Sequence, residues 1–341
     1  MVTIDADAHV LETDRTWDYM EASECEFRPQ IVSGSRPDGT RDDYWLIDGR
    51  LHLKSSNVGK ETPKAAREME DIEARLRHMD ALGVDIQVLY PTVFLRPMTH
   101  RPEVELALCR SYNRWLTDIF QKGKGRLRWV AVLPLLSLDK ALVEMKVAKA
   151  NGACGVFMCG LGDERCLSDP YFFPLYRDAS DLDLPICVHS GTSHFGIHDF
   201  FDQEPGFCKF KLAVVGAFHS IVFNGIPELF PRLRWGFIEV SAQWVPYVVH
   251  DLARRFQRRG KALPKDLLRD YRLYVACQTD DDLAYILQYA NQDHLLIGSD
   301  YGHADTSSEI EALRRLRDQD KVGADVIRKI LDDNARAFYR V

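Results

Sequence analysis

The chain has 341 residues, of which 46% are hydrophobic and 28% charged, so it can bury a large core and is not a disordered protein. Its net charge is −7, with Lys and Arg scattered among the acids, which argues against a nucleic-acid partner and favours a small-molecule one. We expect neither a signal peptide nor a membrane span, because MVTIDADAHV lacks a basic region before a long apolar run and no later run approaches ~20 apolar residues.

Eight short apolar runs, rich in β-branched and aromatic residues, alternate with longer segments of helical periodicity. The predicted strands are residues 2–10, 84–92, 127–135, 153–160, 185–191, 234–240, 273–279 and 295–300. The predicted helices are residues 64–82, 103–120, 138–150, 170–181, 208–230, 243–258, 281–291 and 306–317. Strands that are apolar on both faces are typical of a parallel sheet covered by helices. Eight such units predict an α/β protein with a (β/α)8 TIM barrel, as a single domain over residues 1–341.

Residues 11–63 interrupt this alternation, because aromatic residues such as Trp17 and Trp45 mix with Gly, Asp, Ser and Arg in no regular period. Long loops inside a compact barrel are usually functional, and this one would emerge at the C-terminal mouth. We predict an insertion that lies over the mouth as a lid, with a packing flap or an oligomer contact as the alternative. Trp45 could cover an aromatic substrate or pack the insertion onto the barrel.

The chain has eight cysteines but no CxxC pair, and Cys154, Cys159, Cys187 and Cys277 lie in apolar, strand-like runs. We therefore expect reduced and mostly buried thiols, which are typical of a cytoplasmic protein.

Polar side chains stand at the C-terminal ends of several predicted strands, which converge on one mouth in a TIM barrel. The first strand ends in Asp7 and His9, the fifth in His189, the sixth in Glu239, the seventh in Gln278 and Thr279, and the eighth in Asp300. Strand alternation puts Asp7 and His9 on the same side, roughly 7 Å apart along the strand. Mixed imidazole and carboxylate ligands suit Zn²⁺, Mn²⁺ or Fe²⁺ better than Ca²⁺ or Mg²⁺. We predict that Asp7, His9, His189 and Asp300 bind one divalent cation, with Zn²⁺ preferred and Mn²⁺ as the alternative.

A bound cation lowers the pKa of a coordinated water toward ~7 or polarises a substrate oxygen. Asp300 is the predicted proton shuttle, because a carboxylate that faces both cation and substrate can take a proton from water and return it to the leaving group.

The same residues carry a family resemblance over nearly the whole chain. The chain resembles the amidohydrolase-related (amidohydrolase 2) family, which includes aminocarboxymuconate semialdehyde decarboxylase and its relatives. The resemblance rests on the opening DxH of Asp7 and His9, on VHSG with His189, on FPRLRWGFIEV before WVPY, and on IGSDYGHAD with Asp300 and His303. It implies a TIM barrel with one Zn²⁺ or Mn²⁺ held by these strand-end residues. It also implies that the chain can form a homodimer, through a surface that the sequence does not specify.

The chain departs from this family at the sixth strand, where the decarboxylases carry a catalytic His and this sequence has Glu239. His219, in the helix before that strand, could supply an imidazole to the mouth or could be a core histidine. The predicted catalytic residues are therefore Asp300, Glu239 and His219. Glu239 in place of the His favours hydrolysis over decarboxylation.

Further residues are candidates for substrate binding. Arg96 follows the second strand and could clamp a carboxylate in a bidentate fork, with solvated surface charge as the alternative. His194 and His198, in a glycine-containing loop after the fifth strand, could contact the substrate. His303 could orient Asp300 or line the mouth.

The first functional hypothesis is a metal-dependent hydrolase in which activated water attacks a carbonyl-type carbon of a small, cyclic or aromatic substrate. The alternative is a metal-dependent, non-oxidative decarboxylase of an aromatic or unsaturated acid. A third hypothesis, a barrel that has lost catalysis and serves as a binding or assembly subunit, is disfavoured because all four predicted ligands are present, and barrel packing does not demand buried charge.

Overall fold

Eight parallel strands form one sheet in which each strand pairs with the next along the chain. The computed structural model describes residues 1–35, 39, 41–54 and 57–341. The eight strands are β1 (Ile4–His9), β2 (Ile86–Tyr90), β3 (Leu127–Ala131), β4 (Gly155–Cys159), β5 (Ile186–His189), β6 (Trp235–Ile238), β7 (Leu273–Cys277) and β8 (Leu295–Ile297). The predicted TIM barrel is confirmed.

The first strand and the segment after β8 close the barrel. The His9 N–H donates to the carbonyl of Tyr301 over 2.8 Å, and the Asp300 N–H donates to the carbonyl of Asp7 over 3.0 Å. Asp5 lies beneath this closure, where its buried carboxylate accepts hydrogen bonds from Ser299 and Gln87. Burial raises the pKa of Asp5 to about 6, although these hydrogen bonds oppose the rise.

Helices follow the strands and cover the barrel. The α-helices are α1 (Lys64–Arg67), α2 (Ile72–Leu82), α3 (Pro102–Lys122), α4 (Leu138–Ala150), α5 (Phe173–Asp181), α6 (Phe195–Phe200), α7 (Leu212–Phe223), α8 (Ile226–Leu229), α9 (Val245–Arg258), α10 (Leu267–Asp270), α11 (Leu283–Ile286), α12 (Ala312–Asp318), α13 (Ala324–Arg328) and α14 (Asn334–Tyr339). Short 3₁₀ turns cover Val93–Leu95, Pro170–Phe172 and Gln292–His294, and π-helical turns cover Phe207–Lys211 and Lys329–Asp333.

The helix predicted over residues 64–82 is divided into α1 and α2. Met69 has a positive φ of 53°, which ends the first helix, and the Asp71 carboxylate accepts from the Ala74 N–H to begin the second. The segment 281–291 contains a shorter helix than predicted, because α-helical structure there is limited to α11. No helix among the described residues is long and apolar enough to cross a membrane. All eight cysteines carry free thiols.

The insertion contains regular structure that the sequence did not predict. It has two 3₁₀ helices, Asp14–Tyr19 and Ala22–Phe27, and an antiparallel sheet of three strands, Gln30–Ser35, Arg41–Ile47 and Arg50–Leu53. The alternation of buried and exposed residues that would reveal the sheet in the sequence is short, because Trp45 and Ile47 are the only buried positions of the central strand. Trp45 packs edge to face against Trp17 with ring centroids 6.0 Å apart, so both aromatic rings stabilise the insertion itself. Residues 36–38, 40, 55 and 56 of the predicted insertion lie outside the described residues.

The end of the insertion pairs with the loop that follows β8. Val58 forms an antiparallel bridge with His303, and the Gly59 N–H donates to the carbonyl of Gly302 over 2.8 Å. A Cβ atom on Gly59 would lie 2.3 Å from the carbonyl oxygen of His303, so this approach requires glycine. The insertion therefore contacts the C-terminal side of the barrel.

Candidate active site

Buried acidic and imidazole side chains meet at the C-terminal ends of β1, β5, β6 and β8. The Nε2 atom of His9 lies 3.3 Å from Asp300 Oδ1, 3.5 Å from Asp7 Oδ1 and 3.6 Å from Glu239 Oε2. The Nε2 atom of His189 lies 3.2 Å from Asp7 Oδ1 and 3.1 Å from Glu239 Oε2. All five residues are buried, with Glu239 the most exposed at 7%. Together with His303 they form what we call the mouth cluster.

The hydrogen bonds of the two imidazoles leave their inner nitrogens available as ligands. The Nδ1 atom of His9 lies 2.9 Å from the carbonyl of Pro91, and that of His189 lies 2.9 Å from the carbonyl of Ser190. Because only N–H can donate to a carbonyl, Nδ1 carries the proton in each ring and Nε2 presents a lone pair. This arrangement is typical of metal-ligating histidines.

The inner atoms of the mouth cluster are arranged to bind a cation and not to form hydrogen bonds with one another. Among the described residues, His9 Nε2 and Glu239 Oε2 are buried without a hydrogen-bond partner, and the Asp300 Oδ1 atom faces His303 Nδ1 at 2.8 Å. Lone pairs of nitrogen and carboxylate oxygen repel one another at these distances, and buried polar atoms without partners are costly. Two overlapping sets of four residues have their ligand atoms within 4.8 Å of one another, namely Asp7, His9, His189 and Glu239, and His9, Glu239, Asp300 and His303. A divalent cation among them would satisfy these atoms.

His303 lies against both His9 and Asp300. Its ring stacks on that of His9 with centroids 3.9 Å apart, and its Nδ1 atom lies 2.8 Å from Asp300 Oδ1. Its Nε2 atom lies 2.9 Å from the hydroxyl of Thr92, which donates to the carbonyl of Val10. The second carboxylate oxygen of Asp300 accepts from the Ser308 hydroxyl over 2.5 Å. Both ends of the Asp300 carboxylate are therefore held in position.

Burial and mutual repulsion change the acidity of these groups when no cation is bound. Burial, reinforced by the nearby Asp300 and Asp7 carboxylates, raises the pKa of Glu239 well above its usual range. Burial also raises the pKa of Asp300. Burial lowers the pKa of His9 well below its usual value, which keeps that imidazole neutral and able to bind a cation. For His303, burial lowers the pKa, but the Asp300 carboxylate outweighs it, so the net pKa is raised.

Two carboxylates of the mouth cluster depend on unusual backbone conformations. Glu239 has φ of 64° and Asp300 has φ of 50°, both in the left-handed region that residues with a Cβ atom seldom adopt. Such conformations cost about 1–3 kcal/mol each and cluster at functional sites. Here each one directs a carboxylate into the cluster, Glu239 directly after β6 and Asp300 in the segment that follows β8.

The structure brings together the four predicted ligands Asp7, His9, His189 and Asp300. It adds Glu239, which the sequence analysis had assigned a catalytic role and which lies where a ligand would lie. The structure places His219, a predicted catalytic residue, on α7, where its Nε2 atom lies 3.0 Å from Asp251 Oδ2 on α9. It is therefore not among the residues that the structure brings together in the mouth cluster.

The predicted substrate-binding residues are distributed differently from the expectation. His303 belongs to the mouth cluster. His194 caps α6, where its Nδ1 atom accepts from the Ile197 N–H over 3.2 Å. Arg96 and Trp45 line a separate cavity beneath the insertion and not the mouth cavity.

A mouth cavity of about 770 Å³ opens beside Glu239. Its walls are largely apolar and aromatic, with contributions from Leu95, Phe207, Phe210, Leu212, Trp244 and Tyr247. Lys211 also lines it, and its Nζ atom donates to the hydroxyls of Ser307 and Thr306 over 2.8 and 3.1 Å. Lys211 was not among the residues predicted from the sequence. The sequence feature that could have identified it is the segment FCKFK, in which lysines and aromatic residues are interspersed. This segment forms a π-helical turn.

Comparison with known proteins gives the same architecture. A sequence model of the amidohydrolase family matches residues 4–341. An amidohydrolase from Mycobacterium avium subsp. paratuberculosis is 19% identical, with 99% of each chain covered and a TM-score of 0.80. A 5-carboxyvanillate decarboxylase from Novosphingobium aromaticivorans, complexed with manganese and 4-hydroxy-3-methoxy-5-nitrobenzoic acid, is 20% identical, with 100% of this chain and 96% of that chain covered and a TM-score of 0.73. A 2,6-dihydroxybenzoate decarboxylase complexed with 2,6-dihydroxybenzoate is 18% identical, with 78% of this chain and 87% of that chain covered and a TM-score of 0.63.

Proposed function

The chain belongs to the amidohydrolase family, and from this premise we propose that it is a metal-dependent hydrolase of a small, cyclic or aromatic substrate that carries a carbonyl group. The observation that carries the proposal is the position of Glu239, whose Oε2 atom lies 3.1 Å from His189 Nε2 and 3.6 Å from His9 Nε2. It makes a third carboxylate at the mouth cluster beside Asp7 and Asp300.

The third carboxylate matters because of charge. Three carboxylates and neutral imidazoles around a divalent cation leave a net charge of about −1, and buried charges interact strongly. Decarboxylation would require the anionic carboxylate of the substrate to bind this cation, against that charge. A neutral amide, ester or lactone carbonyl meets no such repulsion, so the charge of the site favours hydrolysis.

Asp7, His9, His189, Glu239 and Asp300 would hold the cation. We propose Zn²⁺, with Mn²⁺ as the alternative, because imidazole and carboxylate together suit both ions. When bound, such an ion acts as a Lewis acid that activates water or polarises a substrate oxygen.

Asp300 would move the proton. Its Oδ1 atom faces the interior of the cluster, while Ser308 holds its other oxygen and His303 supports it from the side. A carboxylate held in this way can accept a proton from water and deliver it to the leaving group. The aromatic walls of the mouth cavity would hold the ring of the substrate and exclude bulk water.

A second candidate is non-oxidative decarboxylation of an aromatic acid. It is favoured by the aromatic mouth cavity with Lys211 in its wall, which could neutralise a carboxylate. Two similar folds are those of 5-carboxyvanillate and 2,6-dihydroxybenzoate decarboxylases, each complexed with an aromatic acid.

One assay separates the two candidates. The protein is loaded with Zn²⁺ or Mn²⁺ and incubated with aryl esters, aryl amides and aromatic lactones, and in parallel with hydroxybenzoic acids, while acid release and CO₂ release are recorded. We expect hydrolysis without CO₂, and a loss of about 10²- to 10⁴-fold in Asp300→Asn. Asp251→Asn, which removes a carboxylate on the outer helix α9, is the matched control and should keep full activity. Release of CO₂ from an aromatic acid, with no hydrolysis of the other compounds, would refute the hydrolase.

A further inference from the structure

A second cavity, of about 300 Å³, lies between the insertion and the barrel, and we call it the insertion cavity. Of the residues that the structure describes, none lines both this cavity and the mouth cavity. Neighbouring residues of one segment face the two spaces, since Asn57 lines the mouth cavity and Val58 lines the insertion cavity. Because Val58 is also paired with His303, this segment forms the wall between the two cavities.

The charges around the insertion cavity are mainly positive. Five cationic side chains line it, those of Arg41, Lys54, Lys64, Arg67 and Arg96. The acids in its lining are Glu12, Asp43 and Glu68, so five cations against three acids leave an excess of two positive charges.

Two of these acids are already engaged by neighbours. The Glu12 carboxylate accepts from the backbone N–H groups of Thr92 and Val93, each over 3.0 Å. Glu68 lies 3.8 Å from Lys64. The pair of Lys64 and Glu68 takes one cation and one acid out of the balance, so the excess of two positive charges remains to attract an anionic occupant.

Two buried nitrogens in the lining point to a bound ligand. His52 is 7% exposed, and its Nε2 atom has no hydrogen-bond partner among the described residues. The same is true of Arg67 Nε. Burial, with the nearby Arg96 and Arg50 charges, lowers the pKa of His52 to about 4, so the ring is neutral and can share a hydrogen bond with a ligand. Buried polar groups are rarely left without partners in native proteins.

The other wall of the insertion cavity is apolar. Trp45, which is 4% exposed, forms part of it with Leu11, Leu53, Val58 and Val93. The Lys54 Nζ atom lies over the Trp45 ring, 5.4 Å from its centre, so a cation and an aromatic ring are adjacent in this wall. A ligand complementary to both walls has an anionic group and a flat apolar body, and the cavity is at the small end of ligand pockets.

We propose that the insertion cavity is a binding site for a small aromatic carboxylate, separate from the mouth cluster. The carboxylate binds among Arg96, Lys54 and His52, and the ring lies against Trp45. Thr92 connects the two sites, since it lines the insertion cavity and its hydroxyl lies 2.9 Å from His303 Nε2. A ligand in the insertion cavity is thus separated by Thr92 from His303, the residue that contacts Asp300.

Calorimetric titration of benzoate into the metal-loaded protein tests the proposal, and because the readout is binding it does not depend on the proposed hydrolysis. We expect saturable benzoate binding that weakens about 10-fold or more in Arg96→Gln and in Lys54→Gln, as expected for loss of a charge-assisted hydrogen bond. The matched variant Arg28→Gln should bind benzoate as the wild type does, because it removes an insertion cation that pairs with Asp14 and Asp18 outside the cavity.

Other outcomes would overturn the proposal. Absence of benzoate binding to folded wild type would do so, as would loss of binding in Lys211→Gln together with normal binding in Arg96→Gln, which would move the site to the mouth cavity. Inorganic phosphate titrated in the same way should bind more weakly than benzoate, and equal binding would contradict the aromatic class. Lys54 is only half buried, so Lys54→Gln gives the same comparison if Arg96→Gln does not fold.

Discussion

The mouth cluster and the insertion cavity are two polar regions with opposite chemistry, joined through Thr92. At the mouth, three carboxylates face imidazole lone pairs, whereas beneath the insertion, cations exceed acids beside an apolar wall. The carboxylates of the mouth are buried, where charge of one sign is costly unless a partner of the other sign is present, so a cation is expected there. The cations of the insertion cavity are exposed or half-buried, so they attract an anion through their excess of positive charge and not through the cost of burial.

The largest expected effect comes from removing a ligand of the mouth cluster. In His189→Ala, we expect the bound divalent cation to be lost and turnover to fall by several orders of magnitude, because the cation activates the reacting water or substrate. Elemental analysis of the purified variant beside wild type measures the cation. His219→Ala is the matched control, since His219 pairs with Asp251 on the outer helices and should leave the metal content unchanged. Equal metal content in His189→Ala and wild type would contradict the assignment of the cluster.

Thr92→Val should disturb the connection between the two regions. It removes a hydroxyl that contacts His303 Nε2 and the carbonyl of Val10, leaving buried polar atoms without a partner at a cost of about 1–3 kcal/mol. We expect a lower free energy of unfolding in urea and a roughly 10-fold fall in kcat at unchanged metal content, because His303 no longer holds Asp300 in place. Thr92→Ser should restore both. A normal kcat in a destabilised Thr92→Val would show that the contact serves stability alone.

Lys211→Gln tests whether Lys211 recognises a charged substrate in the mouth cavity. We expect KM to rise about 5-fold for a substrate that carries a carboxylate, with kcat retained, because one charge-assisted contact is lost. A neutral substrate of the same shape should keep its KM. An equal rise for both substrates would indicate that Lys211 maintains the cavity through its bonds to Thr306 and Ser307.

The smallest expected effect is a pH dependence that arises in the insertion cavity. The pKa of His52 is lowered to about 4 in the folded chain from an ordinary value of 6.5, so the unfolded chain binds the extra proton between these values. Its stabilising contribution is present above pH 6.5 and is lost as the pH falls toward 4, by at most ~1.4 kcal/mol per pH unit. Urea unfolding at pH 7, 6 and 5 should give a shallower slope for His52→Gln than for wild type. Identical slopes would mean that His52 is not buried as a neutral ring.

The barrel and most of the mouth cluster follow from local patterns. Strand periodicity locates eight strand ends, and a barrel brings its strand ends to one mouth, so Asp7, His9, His189 and Asp300 could be placed together without knowledge of any contact. The same reasoning does not apply to His219, because a helix position can face inward or outward and the rotation of α7 is decided by packing.

The sequence by itself therefore determined the fold class, the mouth and the strand-end residues Asp7, His9, His189, Glu239 and Asp300, since these depend on the repeating geometry of strands and helices. Only the tertiary structure decided that Glu239 joins the cation ligands, because its direction depends on a left-handed turn after β6. The same holds for the separate insertion cavity, whose walls come from Trp45, His52, Lys54 and Arg96. Contacts between segments so distant along the chain arise from packing and leave no period in the sequence.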